Sequence, residues 1–439
     1  MSERTTGTVG AESVTAGEME PVEEFRIRAR AWLAEHMPPY PGPAYERHDD
    51  GRREDERRLQ RRLWDGGFAG ICFPPAYGGL GLTPEHQRAF TEESLPYDMP
   101  FGLNVPTLGI LAATLAEHGT HEQKLRHLPA ILRGEERWVQ FLSEPSGGSD
   151  LAGCLTRADR DGDVFLLNGS KIWSSAAYAS DYALCLARTN WDVPKHRGLT
   201  MFIVRIHQPG ITVHQIRQVD GSSEFCQEYF DDVPIPASDV VGAVDDGWTV
   251  ASRLLIHERN AVGGASPYTS GRSAGQEESG SDDDLVLGVR QAGLDGDAHA
   301  RQLLAEARIG RMVGGQLVRR VTQGMASGKL PPSAGALLKL YGATATIRRT
   351  EIALELAGGT AATWPAGADT PGRRIGEATL GRQGAALGGG SNEMQRNIIS
   401  ERLLGMPREP AADRDVPYRE VRRGPRRQGD GVSRSRPSP

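Results

Sequence analysis

The stretch Gln140-Phe141-Leu142-Ser143-Glu144-Pro145-Ser146-Gly147-Gly148-Ser149-Asp150 is the most informative part of this 439-residue sequence. Two adjacent glycines in a turn rich in hydroxyl groups let backbone N–H groups approach a ligand closely, as a bound cofactor requires. Taken alone, a turn of this composition is more often an ordinary connecting loop. Its interpretation therefore depends on the rest of the chain.

Two further motifs accompany this turn. Asn168-Gly169-Ser170-Lys171-Ile172-Trp173-Ser174-Ser175 follows it closely, and Gly388-Gly389-Gly390-Ser391-Asn392-Glu393-Met394-Gln395-Arg396 lies near the end of the chain. In this order and at this spacing, the three motifs resemble the acyl-CoA dehydrogenase family of flavoenzymes. The resemblance extends over residues 22–408, which is nearly the whole chain.

The composition narrows the class of protein. A chain of this length with 38% hydrophobic and 25% charged residues suits a soluble globular protein with more than one domain. The formal net charge of -6 argues against binding to nucleic acid. The four scattered cysteines lack metal-ligand spacing, so no metal is expected. A polar N-terminus and the lack of a bilayer-length apolar run predict a cytoplasmic protein without membrane attachment.

The spacing of apolar residues divides the chain into three parts. Helical periodicity predicts helices over 22–36, 57–64, 84–95, 108–115 and 122–132. Between 138 and 241, short β-branched and aromatic runs separated by turn residues predict a compact antiparallel sheet or barrel. Helical patterns return over 249–263, 297–326, 334–357 and 392–404. We therefore predict an α+β multidomain fold.

The domain organisation follows from this pattern and from the resemblance. The resemblance implies an N-terminal α-helical domain (22–137), a middle β-barrel domain (138–246) and a C-terminal four-helix-bundle-like domain (247–407). Residues 1–21 are predicted to be disordered, and 266–284, rich in Gly, Ser and acidic residues, to form a mobile loop. The tail 408–439 is predicted to be basic and disordered, although its arginines could bind acidic partners.

The resemblance also implies a catalytic base, which removes the α-proton of an acyl-CoA while the β-hydride passes to FAD. A carboxylate in an apolar cleft suits this task, because desolvation raises its pKa. Many relatives carry that carboxylate where this chain has Gly389, and glycine has no proton acceptor. In a second branch, which includes the isovaleryl- and long-chain enzymes, the base is a Glu followed by Arg on a C-terminal helix.

Glu258-Arg259 matches the second branch, so Glu258 is the predicted catalytic residue. A Glu-Arg pair on a helix is, however, most often a surface pair. Glu393 is a weaker candidate for the base and could instead only cap the last helix.

The resemblance assigns further residues to FAD and to the substrate. Leu142 and Ser143 correspond to positions at the pyrimidine end of the flavin, Trp173 to a ring packed against it, and Ser175 to a hydroxyl near N5. The predicted cofactor-binding residues are Leu142, Ser143, Trp173, Ser175, Gly389, Gly390 and Gln395. The predicted substrate-binding residues are Ser149, along the CoA pantetheine, and Arg259. A Trp between apolar neighbours is otherwise more often a core residue.

One element common in the family is absent from this sequence. Relatives carry an Arg-x-x-Phe-Gly element that reaches the FAD pyrophosphate of the neighbouring subunit, and it would lie between Gly264 and Arg308. The chain has an acidic segment there, followed by His299-Ala300-Arg301-Gln302. Arg301 could substitute, but the spacing does not indicate it.

The predicted function is FAD-dependent oxidation of a saturated acyl-CoA to the trans-2-enoyl-CoA, with electrons passed to an electron-transfer flavoprotein. The resemblance implies a homodimer or homotetramer, and a base on the earlier helix favours branched or bulky acyl groups. Three alternatives stay open: a non-autonomous subunit paired with a homologous chain, an acyl-CoA oxidase or flavin monooxygenase on the same fold, and a cofactor-free scaffold.

Overall fold

The computed structural model describes residues 19–41, 50–264, 266–271, 282–365, 370–411 and 413–421. Helices come first in these ranges, a β-sheet follows, and further helices complete the fold. The predicted α+β architecture, with helical domains on either side of a middle β domain, is confirmed. No helix in the described part of the chain has both the length and the apolar character needed to cross a bilayer.

The N-terminal helices pack into two apolar clusters, one formed by the first three helices and one shared with the β-sheet and a C-terminal helix. They are α1 (Val22–His36), α2 (Asp50–Asp65), α3 (Pro84–Ser94), α4 (Phe101–Leu103, Asn104–Ala112 and Ala113–His118, the middle part π-helical) and α5 (His121–Leu132). Phe25, Ala29 and Leu33 recur at every fourth position of α1 and are fully buried. This spacing places them on one face, which is why the sequence predicted α1 correctly.

The second helix begins earlier than its predicted start at residue 57. It starts at Asp50, and its first turns bury Arg52 and Arg53 instead of apolar side chains. The Arg52 guanidinium lies 2.8 Å from the carboxylate of Asp98, so the buried charge is paired. A helix that buries arginines in this way has no apolar periodicity to reveal its first turns.

The middle of the chain forms one eight-stranded sheet. Its strands are β1 (Trp138–Phe141), β2 (Arg157–Asp161), β3 (Val164–Ser175), β4 (Tyr182–Arg188), β5 (Leu199–Arg205), β6 (Ile211–Gln215), β7 (Phe225–Pro236) and β8 (Val240–Val241). The order is β6-β7-β3-β2-β4-β5-β8, and β1 pairs with β4. Most pairs are antiparallel as predicted, whereas β1 and β2 each run parallel to β4.

The C-terminal helices are α6 (Gly247–Val262), α7 (Asp282–Gln291), α8 (Ala298–Ala326), α9 (Gly335–Ala357), α10 (Pro371–Gly381) and α11 (Asn392–Ile398, continued by a π-helical turn Ile399–Leu403). A shared core of α4, β1, β4, β5 and α6 joins the three parts, and it includes Leu111, Trp138, Leu184, Met201 and Leu254.

The structure differs from the predicted mobile loop over 266–284. At its far end, α7 already begins at Asp282. At its near end, Tyr268 packs against Phe73 with ring centroids 4.6 Å apart, and the side-chain amide of Gln87 donates to Thr269 O at 3.1 Å. Short polar residues held by an N-terminal helix have no periodicity of their own, so composition predicted a loose loop. Residues 272–281 lie outside the described part.

The tail also differs from the prediction over its described residues. Tyr418 is only 4% exposed, and a single 3-10 turn, Tyr418–Glu420, lies against the β-sheet. Its ring contacts supply an apolar anchor that the Pro- and Arg-rich composition concealed. The basic run after Val421, like residues 1–18, lies outside the described residues.

Candidate active site

Glu258 lies on the buried face of α6. The buried positions Val250, Leu254 and Ala261 follow helical spacing, and Glu258 falls within the same stripe. Its side chain is thus drawn into the core by its neighbours, and the residue is only 9% exposed. The alternative of a surface Glu-Arg pair does not describe this position.

The surroundings of Glu258 favour its protonated form. Burial raises the pKa of the carboxyl, and it outweighs the hydrogen bond from Gln140 and the nearby positive charges of Arg259 and Lys339. The Gln140 side-chain amide donates to Glu258 Oε2 at 3.4 Å, a long bond that leaves the carboxylate weakly held. A carboxylate so placed is a stronger base than an exposed one.

The backbone of Gly389 faces this carboxylate. A Cβ built at Gly389 would lie 3.6 Å from Glu258 Oε1 and 3.4 Å from Cε of Lys339. The backbone of Gly389 and the Glu258 side chain are therefore neighbours. Of these two residues, only Glu258 has a side chain that can accept a proton.

Gln395 supports the glycine segment from beneath. Its side-chain amide is buried and donates to the carbonyl oxygen of Gly390 at 3.0 Å. Its Oε1 is buried without a hydrogen-bond partner among the described residues. A buried acceptor of this kind is a position where a ligand can donate a hydrogen bond.

Replacing Gly390 by alanine is expected to destabilise this segment by about 1–3 kcal/mol. The residue has a φ of +86°, and a Cβ there would lie 2.6 Å from Nε2 of Gln395. Urea unfolding should show a lower midpoint, because the backbone strain and the displaced amide both weaken the folded state. Gly388→Ala is the matched control, since its Cβ would come no closer than 3.6 Å to the carbonyl oxygen of Gly384. Equal midpoints for the two variants would contradict the expectation.

The end of β3 presents an exposed surface. Trp173 has a φ of +69° and lies at a register shift between β3 and β7, which turns its ring outward. Trp173 is 55% exposed, which is unusual for a tryptophan, and Ser175 near it is also exposed. This pair forms an aromatic and hydroxyl surface that a planar ligand could cover.

Between these two residues, Ser174 points inward. Its hydroxyl lies 3.1 Å from the carboxyl of Glu228, and burial raises the pKa of Glu228 to about 8. Burial therefore favours the neutral form of Glu228.

The Leu142–Ser143 segment is joined to β3. The backbone N–H of Ile172 donates to Ser143 O at 2.9 Å, and Nζ of Lys171 donates to Leu142 O at 3.0 Å. The two segments that the sequence assigned to one ligand are therefore held side by side. Leu142 is buried, whereas Ser143 is partly exposed.

A buried ion pair underlies this junction. Nζ of Lys171 is 2.9 Å from the carboxylate of Glu144, with side chains 0% and 6% exposed. Burial alone would raise the pKa of Glu144, but Lys171 and the backbone N–H donors of Leu155 and Thr156 hold that pKa at about 2. Glu144, near the start of the loop between β1 and β2, is therefore bound to Leu155 and Thr156 at the end of that loop.

The remaining predicted residues lie in different settings. Ser149 is exposed at the tip of the loop, and Arg259 is partly buried beside Glu258, where burial lowers the pKa of its guanidinium. Arg301 is exposed, and its Nε donates to the carbonyl oxygen of Asp295 at 2.9 Å. Glu393 is exposed on α11 and pairs with Arg396 at 3.5 Å, while Ser391 caps that helix. Glu393 is therefore outside the Glu258 pocket.

The sequence did not indicate a role for four residues of the site: Gln140, Glu144, Lys171 and Lys339. Three of them lie within or beside the quoted motifs but were given no role. For Lys171 a signal was available, because the two-residue alternation that buries Phe165 and Leu167 also places Lys171 on the inner face of β3. The hydrogen bond of Gln140 to Glu258 and the approach of the Lys339 charge arise only in the folded chain.

Three family models match the chain in succession. They are the acyl-CoA dehydrogenase N-terminal domain over residues 19–135, the middle domain over 140–233 and the C-terminal domain over 245–404. The acyl-CoA dehydrogenase IpdE1 of Mycobacterium tuberculosis (strain ATCC 25618 / H37Rv) is 35% identical over 397 residues, which cover 89% of this chain and 99% of the relative.

Solved structures of acyl-CoA dehydrogenases are also similar to this chain. The structure named Tcur3481-Tcur3483 steroid ACAD is 29% identical, with a TM-score of 0.72 and coverage of 89% of this chain and 99% of that one. The ChsE4-ChsE5 complex from Mycobacterium tuberculosis is 26% identical, with a TM-score of 0.66 and coverage of 91% and 100%.

Proposed function

Because this chain belongs to the acyl-CoA dehydrogenase family of FAD-dependent oxidoreductases, we propose that it converts a saturated acyl-CoA thioester to the trans-2-enoyl-CoA. The observation that carries the proposal is Glu258, a weakly hydrogen-bonded carboxylate inside the core. It faces a glycine backbone at the position where many relatives carry the base.

In the proposed reaction Glu258 removes a proton from the carbon next to the thioester carbonyl. Its raised pKa makes it a competent acceptor, and its burial keeps water from competing for the proton. FAD, when bound, supplies the acceptor for the hydride that leaves the β-carbon. After the step, the neutral acid is the form that the buried pocket favours.

We propose that FAD is held between the β3 face and the glycine segment. Trp173 would pack against the flavin, Ser175 would offer a hydroxyl, and Leu142 and Ser143 would bind the pyrimidine end. Gly389, Gly390 and Gln395 would border it from the C-terminal helices. The exposed Trp173 supports this arrangement because its ring suits stacking against a flat ligand. Gln395 Oε1, which has no partner among the described residues, suits a ligand that donates a hydrogen bond.

For the substrate, we propose that Ser149 lies along the CoA pantetheine and that Arg259 borders the acyl site. A bulky acyl group, such as a ring-bearing one, is favoured by the base on the earlier helix and by the structural neighbour named a steroid ACAD. An electron-transfer flavoprotein would receive the electrons. We further propose a cytoplasmic location, because all four cysteines are free thiols.

The test is the visible spectrum of the purified chain during anaerobic addition of acyl-CoAs. Linear, branched and ring-bearing thioesters would be compared, and bleaching of the flavin band is the expected result. The ring-bearing thioesters should bleach it fastest. A flavin band that persists with every thioester would contradict the proposed reaction, and rapid recolouring in air with peroxide release would indicate an oxidase instead.

A second candidate is the catalytic subunit of a hetero-oligomer with a homologous chain. The sequence lacks the Arg-x-x-Phe-Gly element expected to reach a neighbour's FAD, and two structural neighbours are named as pairs of proteins. The exposed apolar side chains Ile309, Met312 and Val313 on α8 also suit a protein interface. A homodimer or homotetramer would use the same surface.

The two assemblies can be separated by expressing the chain alone and together with a homologous chain from the same genome. Native mass and flavin per protein would be measured in each case. A flavin-loaded complex of two different chains supports the second candidate. A flavin-loaded assembly of this chain alone, which turns over acyl-CoA, would exclude it.

A further inference from the structure

The described C-terminal residues 413–421, here called the C-terminal strap, follow the last helix and lie against the β-sheet. Backbone N–H groups of Tyr418 and Arg419 donate to the carbonyl oxygens of Val193 and Trp191 at 2.9 and 3.0 Å. Pro417 forms a bridge with Pro194. The strap is therefore bound to the segment between β4 and β5 through its backbone.

Through Tyr418 the strap reaches the end of the loop between β1 and β2 (residues 142–156). Its hydroxyl donates to the carbonyl oxygen of Gly153, and its ring lies over the guanidinium of Arg188 at 3.7 Å. Arg188 is fully buried and donates to the neighbouring carbonyl oxygens of Ala152, at 2.6 Å, and Cys154, at 3.0 Å. Three consecutive carbonyls of the loop are thus bound by Arg188 and Tyr418 together.

A second link joins the strap to the loop tip. Nζ of Lys195 lies 2.9 Å from the carboxylate of Asp413 and 3.1 Å from that of Asp150. Lys195 is 14% exposed, so this bridge is partly shielded from water. The loop is therefore tied to the strap at Asp150 as well as at Gly153, while Ser149 beside them stays exposed.

We propose that the C-terminal strap holds the Ser149–Gly153 part of the loop in its substrate-binding arrangement, with Tyr418 as the positioning residue. The inference rests on the proposed function, because it takes Ser149 to lie along the pantetheine of an acyl-CoA. Tyr418 acts from behind the loop, through backbone carbonyls, and does not itself touch the Glu258 pocket. The strap should consequently affect substrate affinity more than the chemical step.

The experiment compares full-length flavin-loaded variants. Tyr418→Ala should raise KM for the best acyl-CoA about tenfold, because it removes one buried hydrogen bond and the ring over a buried cation. Its kcat should stay within about twofold of the unsubstituted chain, since the base is untouched. Tyr418→Phe keeps the ring and should raise KM by about threefold.

Arg419→Ala is the matched control, because its exposed side chain pairs with Asp192 at the surface and its KM should not change. Amide hydrogen exchange of residues 149–154 supplies a second readout, with faster exchange expected in both Tyr418 variants. If Tyr418→Ala fails to fold, the KM and the loop exchange of Tyr418→Phe test the proposal.

Unchanged KM and unchanged loop exchange in Tyr418→Phe would overturn the proposal. So would a fall of kcat and flavin content in proportion to the rise of KM, which indicates general destabilisation. If no acyl-CoA bleaches the flavin band of the full-length chain, that result would instead overturn the proposed function, and with it the substrate role of the loop. The two failures are therefore distinguishable.

Discussion

Replacing Glu258 by glutamine is expected to lower acyl-CoA turnover by about 10²- to 10⁴-fold, which is the usual contribution of a general base. Glutamine preserves the shape of the side chain and fits the same pocket, but it cannot accept the α-proton. Flavin content and the affinity for acyl-CoA should stay close to those of the unsubstituted chain. Anaerobic single-turnover reduction of the flavin measures the step directly.

Glu393→Gln is the matched control for this experiment. Glu393 lies close to Gly389 in sequence, yet it is exposed and pairs with Arg396 at the surface. Its replacement should leave flavin reduction unchanged. Near-normal reduction in Glu258→Gln, or a comparable loss in Glu393→Gln, would rule out Glu258 as the base.

The pH dependence offers a further check on the same residue. A base must be deprotonated to act, so kcat/KM should rise with pH through the pKa of Glu258 in the free enzyme. Because burial raises that pKa above the ordinary 4.5, the acidic limb should lie at higher pH than for an exposed glutamate. Glu258→Gln should lose this limb. A profile that falls only near pH 4.5 would contradict the role of burial.

The family resemblance supplied the candidate residues of this site, and their roles stay predictions, but the local pattern agrees with the setting of some of them. Glu258 follows the apolar spacing of α6, and the glycines at 389 and 390 both have positive φ in the structure. Such positions leave a trace in residue type and spacing. The three-part order of helices and strands was predictable for the same reason.

The contacts that complete the site were not predictable from local pattern. Gln140 and Lys339 come near Glu258 from β1 and α9, which are far apart in the chain. The burial of the α2 arginines and of Tyr418 was not predicted, because paired charges and single aromatic residues leave no periodicity in the sequence. Apolar periodicity therefore predicted too late a start for α2, and composition predicted disorder over 413–421.

The second large effect is expected for the ion pair beneath the loop. Replacing Lys171 by methionine should destabilise the protein by about 3–5 kcal/mol, because it leaves the Glu144 carboxylate buried without its cation. The two segments that Lys171 joins would also separate, so flavin content should fall. Urea unfolding at pH 7 and the flavin-to-protein ratio measure the two consequences. Arg348→Met, which breaks an exposed pair with Glu306, is the control and should cost about 1 kcal/mol or less.

The pH dependence of stability distinguishes a lost charge pair from lost packing. The pKa of Glu144 is held at about 2, below its ordinary value of 4.5, so the pair contributes fully above about pH 4.5. That contribution is lost as the pH falls from 4.5 towards 2. In Lys171→Met burial should raise the pKa of Glu144, so this acid-side loss should disappear. Adding Glu144→Gln should then recover part of the stability, since the uncompensated charge is gone. If the double variant is less stable than the sum of the two single effects predicts, the shapes of the two side chains, and not their charges, hold the loop.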